Sequence, residues 1–375
     1  MIHRVIAARA LRGFADGLVS VILPVHLLAL GFSPLQIGAI ATGTLLGSAA
    51  LTLAAGLCGI RRRTLLFAAC ALMAGTGAGF ALLSSFWPLL AVAVIGTLNP
   101  SAGDVSVFLP TEQALLAGAT PAESHASTFA RYNLAGGLAG ALGALASGLP
   151  GRLGDVRLGF ALYAAAGLAA AALYSGLAEP PVPARAAPLA TSRPVVLRLA
   201  ALFSLDSFGG GFVVQSLLAL WLLQRFSLPL EVAGAFFFGT GILGAFSQLV
   251  SARLAARIGL VETMVYTHLP ANVALVLAAF APTLEVAIAL LLVRAALSQM
   301  DVPARQALVM ASVPPEERAA AAGVTNVPRS LAAALPPLLS GALLGASASG
   351  WPLVCAGVLK ATYDVLLLAR FRKRR

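Results

Sequence analysis

Long apolar runs constrain this chain more than any other feature. Segments of roughly 20 residues, the length at which a helix crosses the hydrocarbon core of a bilayer, follow one another along the whole sequence. Twelve spans are expected, at approximately 6–30, 34–58, 64–84, 87–110, 127–149, 157–177, 197–223, 229–255, 261–281, 283–308, 320–345 and 350–370. In lipid every backbone N–H and C=O must be paired internally, so only helices and closed barrels can span. Barrel strands would alternate over short stretches, whereas these runs are continuous and rich in Leu, Ala and Gly. Only 10% of residues are charged, against about 25% in a soluble domain. The expected fold is therefore an all-α polytopic membrane protein of twelve transmembrane helices in a lipid bilayer.

Other classes fall away on the same grounds. Cys58, Cys70 and Cys355 are scattered through apolar segments and suggest neither a disulfide framework nor a metal site. The net charge of +11 comes mostly from arginines at the ends of apolar runs, so nucleic acid is not an expected partner. No G-x-x-x-x-G-K-[ST] loop is present to drive transport with ATP. No nucleophile–base constellation stands out either, so neither enzyme activity nor a cofactor is expected. Residues 1–4 lead straight into an apolar stretch too long for a signal-peptide core, which is taken as a retained first span.

The most polar and Pro-rich interval, Ala178 to Pro194, divides the spans six and six. The expected organisation is an N-terminal six-helix half (1–177), a cytoplasmic linker (178–195) and a C-terminal six-helix half (196–375). Lys and Arg concentrate in the loops on one side, including Arg61, Arg62, Arg63, Arg185, Arg193, Arg257, Arg318 and Arg370; the other side holds Arg152, Arg157 and Arg225. By the positive-inside rule both termini are cytoplasmic. The halves also repeat: P-T-E-Q-A-L-L-A-G-A-T-P-A-E from Pro110 aligns without a gap on P-A-R-Q-A-L-V-M-A-S-V-P-P-E from Pro303, and this register pairs Asn133 with Asn326.

Two related six-helix halves joined by a cytoplasmic linker are typical of transporters built from parallel repeats. In this respect the whole chain resembles the major facilitator superfamily, with its two pseudo-symmetric six-helix halves. The family's loop signature G-x-x-x-D-R-x-G-R-R is partly present as A-G-L-C-G-I-R-R-R (Ala55–Arg63), without the Asp. Its second-half counterpart, A-R-L-A-A-R-I-G (Ala252–Gly259), has Ala256 at the Asp position. The fifth-span antiporter motif is reduced to G-A-L-A-S-G (Gly143–Gly148). In the family that Asp helps clasp the halves together, so other groups are expected to do so here.

Ionisable residues inside a membrane are costly and commonly functional. Asp16, Asp104, Asp206 and Asp301 fall in spans 1, 4, 7 and 10, the helices that the resemblance implies line a central cavity. Counting residues at 1.5 Å each places all four roughly 10–15 Å from the cytoplasmic ends. Thr97, Ser101, Asp104 and Thr111 share one helical stripe, as do Arg294, Ser298, Asp301 and Arg305. Arg12, Asp16 and Ser20 form a third, with His26 beyond. The run G-G-G at Gly209–Gly211 either opens span 7 near Gln215 or allows close helix packing.

Two readings stay open for these groups. In one, Arg12, Arg131, Arg305 and Arg329, with Asn133 and Asn326, pair with the carboxylates as a gate. In the other, a carboxylate carries a coupling proton. Asp104 lacks a basic neighbour on its own helix and is the favoured proton site, whereas Asp301 has Arg294 and Arg305 on its stripe. Glu112 and Glu316–Arg318 are expected to be solvated, Lys360 and Asp364 to pair locally, and His268 to make a helix contact.

The functional expectation is a secondary transporter moving a small solute by alternating access, proton-coupled, an exporter, and monomeric. Alternatives are a divalent-cation carrier using Asp16, His26, Asp206 and Gln215, or an importer of small organic anions recognised by Arg294. The abundance of Arg, Ala and Gly suggests a bacterial inner membrane.

Overall fold

The computed structural model of the protein describes residues 1–58, 60–101, 106–121, 124–177 and 189–371. Among these residues there are helices and turns and no strand. In chain order the helices are α1 (Ile2–Ala29), α2 (Pro34–Cys58), α3 (Arg62–Leu82), α4 (Phe86–Ile95), α5 (Phe108–Ala119), α6 (His125–Leu145), α7 (Gly148–Arg152) and α8 (Arg157–Tyr174). They continue with α9 (Arg193–Gly211), α10 (Gln215–Phe226), α11 (Leu230–Ile258), α12 (Leu260–Ala279) and α13 (Leu284–Ser298). The last four are α14 (Asp301–Ala311), α15 (Arg318–Ala334), α16 (Pro336–Ala346) and α17 (Trp351–Phe371). Eleven stretches are long and apolar enough to cross a membrane, and the shorter apolar α4 begins the remaining expected span.

That fourth span differs from the continuous helix expected over 87–110. Helix α4 stops at Ile95, and residues 96–101 are not helical. Asn99 precedes Pro100, and a residue before proline is pushed out of the α region. The Asn99 side chain then accepts hydrogen bonds from the Ser101 N–H and hydroxyl, both at 3.1 Å, which stabilises a turn in place of a helix. The stripe of Thr97, Ser101, Asp104 and Thr111 therefore does not exist as one helix face, and Asp104 itself lies outside the described residues. Span 10 is interrupted too: α13 ends at Ser298 and α14 begins at Asp301, so Arg294 belongs to a different helix from Asp301 and Arg305.

Two compact units emerge, one of Met1–Pro183 with Val214–Gly241 and one of Ala184–Val213 with Ile242–Arg375. In the first, α1 lies along α6, glycine against glycine. A methyl group at Gly13 would stand 2.5 Å from the Gly136 carbonyl oxygen, and one at Gly17 would overlap that of Gly140. Lipid offers little hydrophobic drive between helices, so such backbone approach is what supplies the packing energy. Helix α10 packs on α1 in the same unit, with the Gln215 side chain donating to Ser20 Oγ at 2.9 Å and the Ser216 N–H to the Pro100 carbonyl at 3.0 Å.

In the second unit, α9 packs against α15 and α17, and α12 against α17, α13 and α14. The triple glycine has both of its anticipated consequences: α9 ends at Gly211, and Gly211 sits 2.5 Å (from a built Cβ) off the Ala333 carbonyl. An apolar cluster of Val196, Leu199, Phe203, Met264, Val265, Val309, Tyr363 and Leu367 fills one end of this unit. The polar groups described below begin one helical turn further along α9 and α12.

The partial signature motif closes a local contact. Arg63 donates to the Ser175 carbonyl at 2.7 Å, tying α3 to the end of α8. At its second-half counterpart, Gly259 adopts φ +100° in the turn between α11 and α12.

Candidate functional site

Asp206 is the centre of a buried ionic network in the second unit. It projects from α9 three residues beyond Phe203 and is 4% exposed. Lys360 of α17 donates to its Oδ1 at 2.6 Å, and Arg305 of α14 to its Oδ2 at 3.1 Å. Arg305 also reaches Asp301 Oδ2 at 3.1 Å, one turn back on α14, and stands over the Phe203 ring. His268 of α12 presents Nε2 to Asp206 Oδ1 at 3.8 Å and Nδ1 to Asp364 Oδ1 at 3.0 Å. Asp364, fully buried on α17, takes a further hydrogen bond from Asn272 Nδ2 at 2.9 Å.

Local sequence explains this convergence. Lys360 and Asp364 are one turn apart on α17, and His268 and Asn272 one turn apart on α12, so each pair projects from one face. Pro270 between the latter has no N–H to give to the helix ladder. Gly209 and Gly357 let α9, α12 and α17 approach closely enough for the four helices to share these groups. Lys360 and Asp364 are thus not a local pair; each finds its partners on other helices.

A second network lies in the first unit. Glu112 of α5, fully buried, is held by the Arg12 guanidinium, by the Tyr174 hydroxyl and by the Tyr132 hydroxyl, the last at 2.6 Å. Arg12 also lies 3.9 Å over the Phe108 ring, and Arg9 stands over Tyr132. Glu112 is therefore not a solvated end residue: three other helices, α1, α6 and α8, close around it. Its burial was concealed in sequence because hydropathy places the span's end near Pro110.

The remaining expected residues are more dispersed. Asp16 is half-buried on α1. His26 bonds the Phe80 carbonyl at 3.0 Å and packs on Phe160. Arg131, Asn133 and Asn326 are exposed, Asn326 accepting from Arg329 at 3.2 Å. Arg329, half-buried, also donates to Ser207 Oγ at 3.2 Å. Arg294 makes no hydrogen bond or ion pair among the described residues. Glu317, expected in a solvated loop, is largely buried and accepts from the N–H groups of Thr191 and Ser192, both at 3.2 Å, just before α9 begins. Among the described residues no group of three His, Cys, Asp or Glu could hold a metal ion.

What such an arrangement can do chemically is exchange partners. A carboxylate shared by lysine, arginine and histidine from three helices holds those helices together, and a change in charge at any one group redistributes the rest. A buried pair of this kind contributes little net stability compared with apolar packing, because desolvation offsets the attraction.

Comparison with known proteins agrees with this fold. A curated relative, an uncharacterised membrane protein of Saccharomyces cerevisiae, is 26% identical over 96% of this chain and 92% of its own length. The crystal structure of a point mutant of the nucleoside transporter NupG superposes with TM-score 0.79 at 14% identity, covering 99% of this chain and all of that one. A D-xylose–proton symporter gives 0.78 at 14% identity, covering 98% and 96%. The human organic anion transporter MFSD10 gives 0.65 at 18% identity, covering 98% and 99%. The sequence model of the Major Facilitator Superfamily matches residues 5–337. This chain belongs to the Major Facilitator Superfamily.

Proposed function

We propose that this protein is a secondary active transporter that moves a small solute by alternating access, coupled to protons, with export as its direction. The observation that carries the reading is Asp206: a membrane-buried carboxylate bound at once by Lys360 and Arg305, with His268 beside it. An ionic network at this depth is costly and adds little stability, so its retention is best explained by a conformational or coupling role. Moving a carboxylate between apolar and cationic surroundings loads and unloads a proton. Asp104 remains the second coupling candidate, proposed from sequence. Export rests on the partial antiporter motif at Gly143–Gly148, which forms the break between α6 and α7. The D-xylose–proton symporter among the structural neighbours uses the same fold with protons. A monomer in a cell membrane, with both termini cytoplasmic, completes the proposal.

One observation favours a particular substrate charge. Arg294 makes no hydrogen bond or ion pair, and Arg329 hydrogen-bonds only neutral groups, among the described residues, while both lie within the field of Asp206. Half-buried cations that are not salt-bridged suit an anionic solute, and MFSD10 among the neighbours is an organic anion transporter.

The test begins with a thermal-shift screen of purified protein against small solutes across pH. Solutes that stabilise it are then offered to proteoliposomes with and without an imposed pH gradient. The proposal expects gradient-driven flux, reduced at least tenfold in Asp206→Asn and in Asp104→Asn. Flux indifferent to the gradient and to both variants would remove proton coupling.

A further inference from the structure

We propose that His268 is the proton-carrying group of the second unit, its exchangeable proton residing on Nε2 and facing Asp206. This inference rests on the transport reading above and specifies where the coupling proton sits.

Both ring nitrogens of His268 face carboxylates. Nδ1 lies 3.0 and 3.1 Å from the two oxygens of Asp364, and Nε2 lies 3.8 Å from Asp206 Oδ1. A neutral imidazole has one N–H and one lone pair. A single N–H can serve only one of these two carboxylates, and with it on Nδ1 the Nε2 lone pair faces Asp206, which is repulsive. A proton on Nε2 turns that contact into attraction.

The charged groups around the ring are Asp206 on α9, Asp301 and Arg305 on α14, and Lys360 and Asp364 on α17, none more than 9% exposed, with Arg294 on α13 and Arg329 on α15 half-buried at the margin, where both feel the charge of Asp206. The buried Tyr363 hydroxyl has no hydrogen-bond partner among the described residues, and Asn272 Nδ2 lies 2.9 Å from Asp364 Oδ2 and 3.3 Å from His268 Nδ1.

The mechanical consequence follows from the helices involved. With Nε2 protonated, α12 and α9 are drawn together through His268 and Asp206. When the proton leaves to water, lone pair and carboxylate repel. Asp206 is then held only by Lys360 and Arg305, from α17 and α14. Proton occupancy is thereby read as the position of α9, whose end at Gly211 is already a break in the span.

Nitrogen NMR of protein carrying labelled histidine in lipid nanodiscs tests the assignment directly. Only four histidines are present, and His268→Gln identifies the signal by difference. The expected result is a doubly protonated His268 ring in wild type near pH 6 that becomes singly protonated at the same pH in Asp206→Asn. In proteoliposomes His268→Gln should abolish the response of solute flux to a pH gradient. A wild-type ring that stays singly protonated from pH 5 to 8 overturns the proposal, even with flux still driven by a pH gradient, and that spectrum needs no variant to fold. A doubly protonated ring combined with flux indifferent to the gradient also overturns it, and removes the coupling reading as well.

Discussion

Lys360 and Asp206, 154 residues apart in sequence, meet at 2.6 Å in a part of the protein where neither is more than 9% exposed. Lys360→Met leaves Asp206 with Arg305 and His268 and removes one hydrogen bond to a buried charge, so it should destabilise the protein by about 1.5–3 kcal/mol. The double variant Lys360→Met/Asp206→Asn should recover at least about 1 kcal/mol of that loss. Thermal unfolding in detergent or nanodiscs reads both, and a double variant as damaged as the sum of the singles would show that the two residues act independently.

Glu112 depends on two tyrosines as well as Arg12. Tyr132→Phe removes one hydrogen bond to a charged group in a buried site and should cost about 1.5–3 kcal/mol. Glu112→Leu should cost more, since Arg12 then loses its carboxylate. Equal unfolding temperatures for wild type and Tyr132→Phe would show that the hydroxyl contributes nothing to holding Glu112.

Glu317 gives a pH dependence with a definite sign. Burial alone would raise its carboxyl, but hydrogen bonds from the hydroxyl and N–H of Ser192, and from the N–H groups of Ala190 and Thr191, hold it below the ordinary carboxylate range. A depressed carboxyl contributes stability above its unfolded value, about 4.3, and loses it as pH falls through the folded value. Wild type should therefore be more stable than Glu317→Gln at pH 7, with the gap closing as pH drops below about 4.3. A constant gap across that window would show that the charge on Glu317 does not matter.

Glycines on α6 should separate by their surroundings. Gly140 faces the Gly13 carbonyl at 3.3 Å from a built Cβ and is itself in the path of any side chain at Gly17, whereas Gly137 has open space. Gly17→Val should cost about 1–3 kcal/mol through overpacking, and Gly137→Ala should be neutral or slightly stabilising. Comparable losses at both positions would indicate that α1 and α6 do not rely on backbone contact.

Most of the fold is legible in the sequence because lipid imposes a length and a composition on every span. The breaks are less so. Asn99–Pro100 signals a turn, but its apolar flanks keep the hydropathy of a span, so a window average passes over it. The site was legible by residue type more than by partner. Asp206, Asp301, Arg305 and Arg329 stand out as ionisable groups in apolar runs. Lys360 and Asp364 meet the same criterion, yet their spacing fits a local pair equally well. Only the packing of α9 and α12 against α17 assigns them to Asp206 and His268. Glu112 was hidden for a related reason: a span's end and a buried turn look alike until Tyr132 and Tyr174 are brought around it.

The proposed coupling of solute movement to protons can be tested through the pH inside liposomes. Protein reconstituted with an enclosed pH-sensitive dye is given a solute that stabilises it, with no gradient imposed. Coupling predicts a solute-dependent pH change in wild type that is absent in both Asp206→Asn and His268→Gln. Solute movement measured in the same vesicles without any pH change would contradict it.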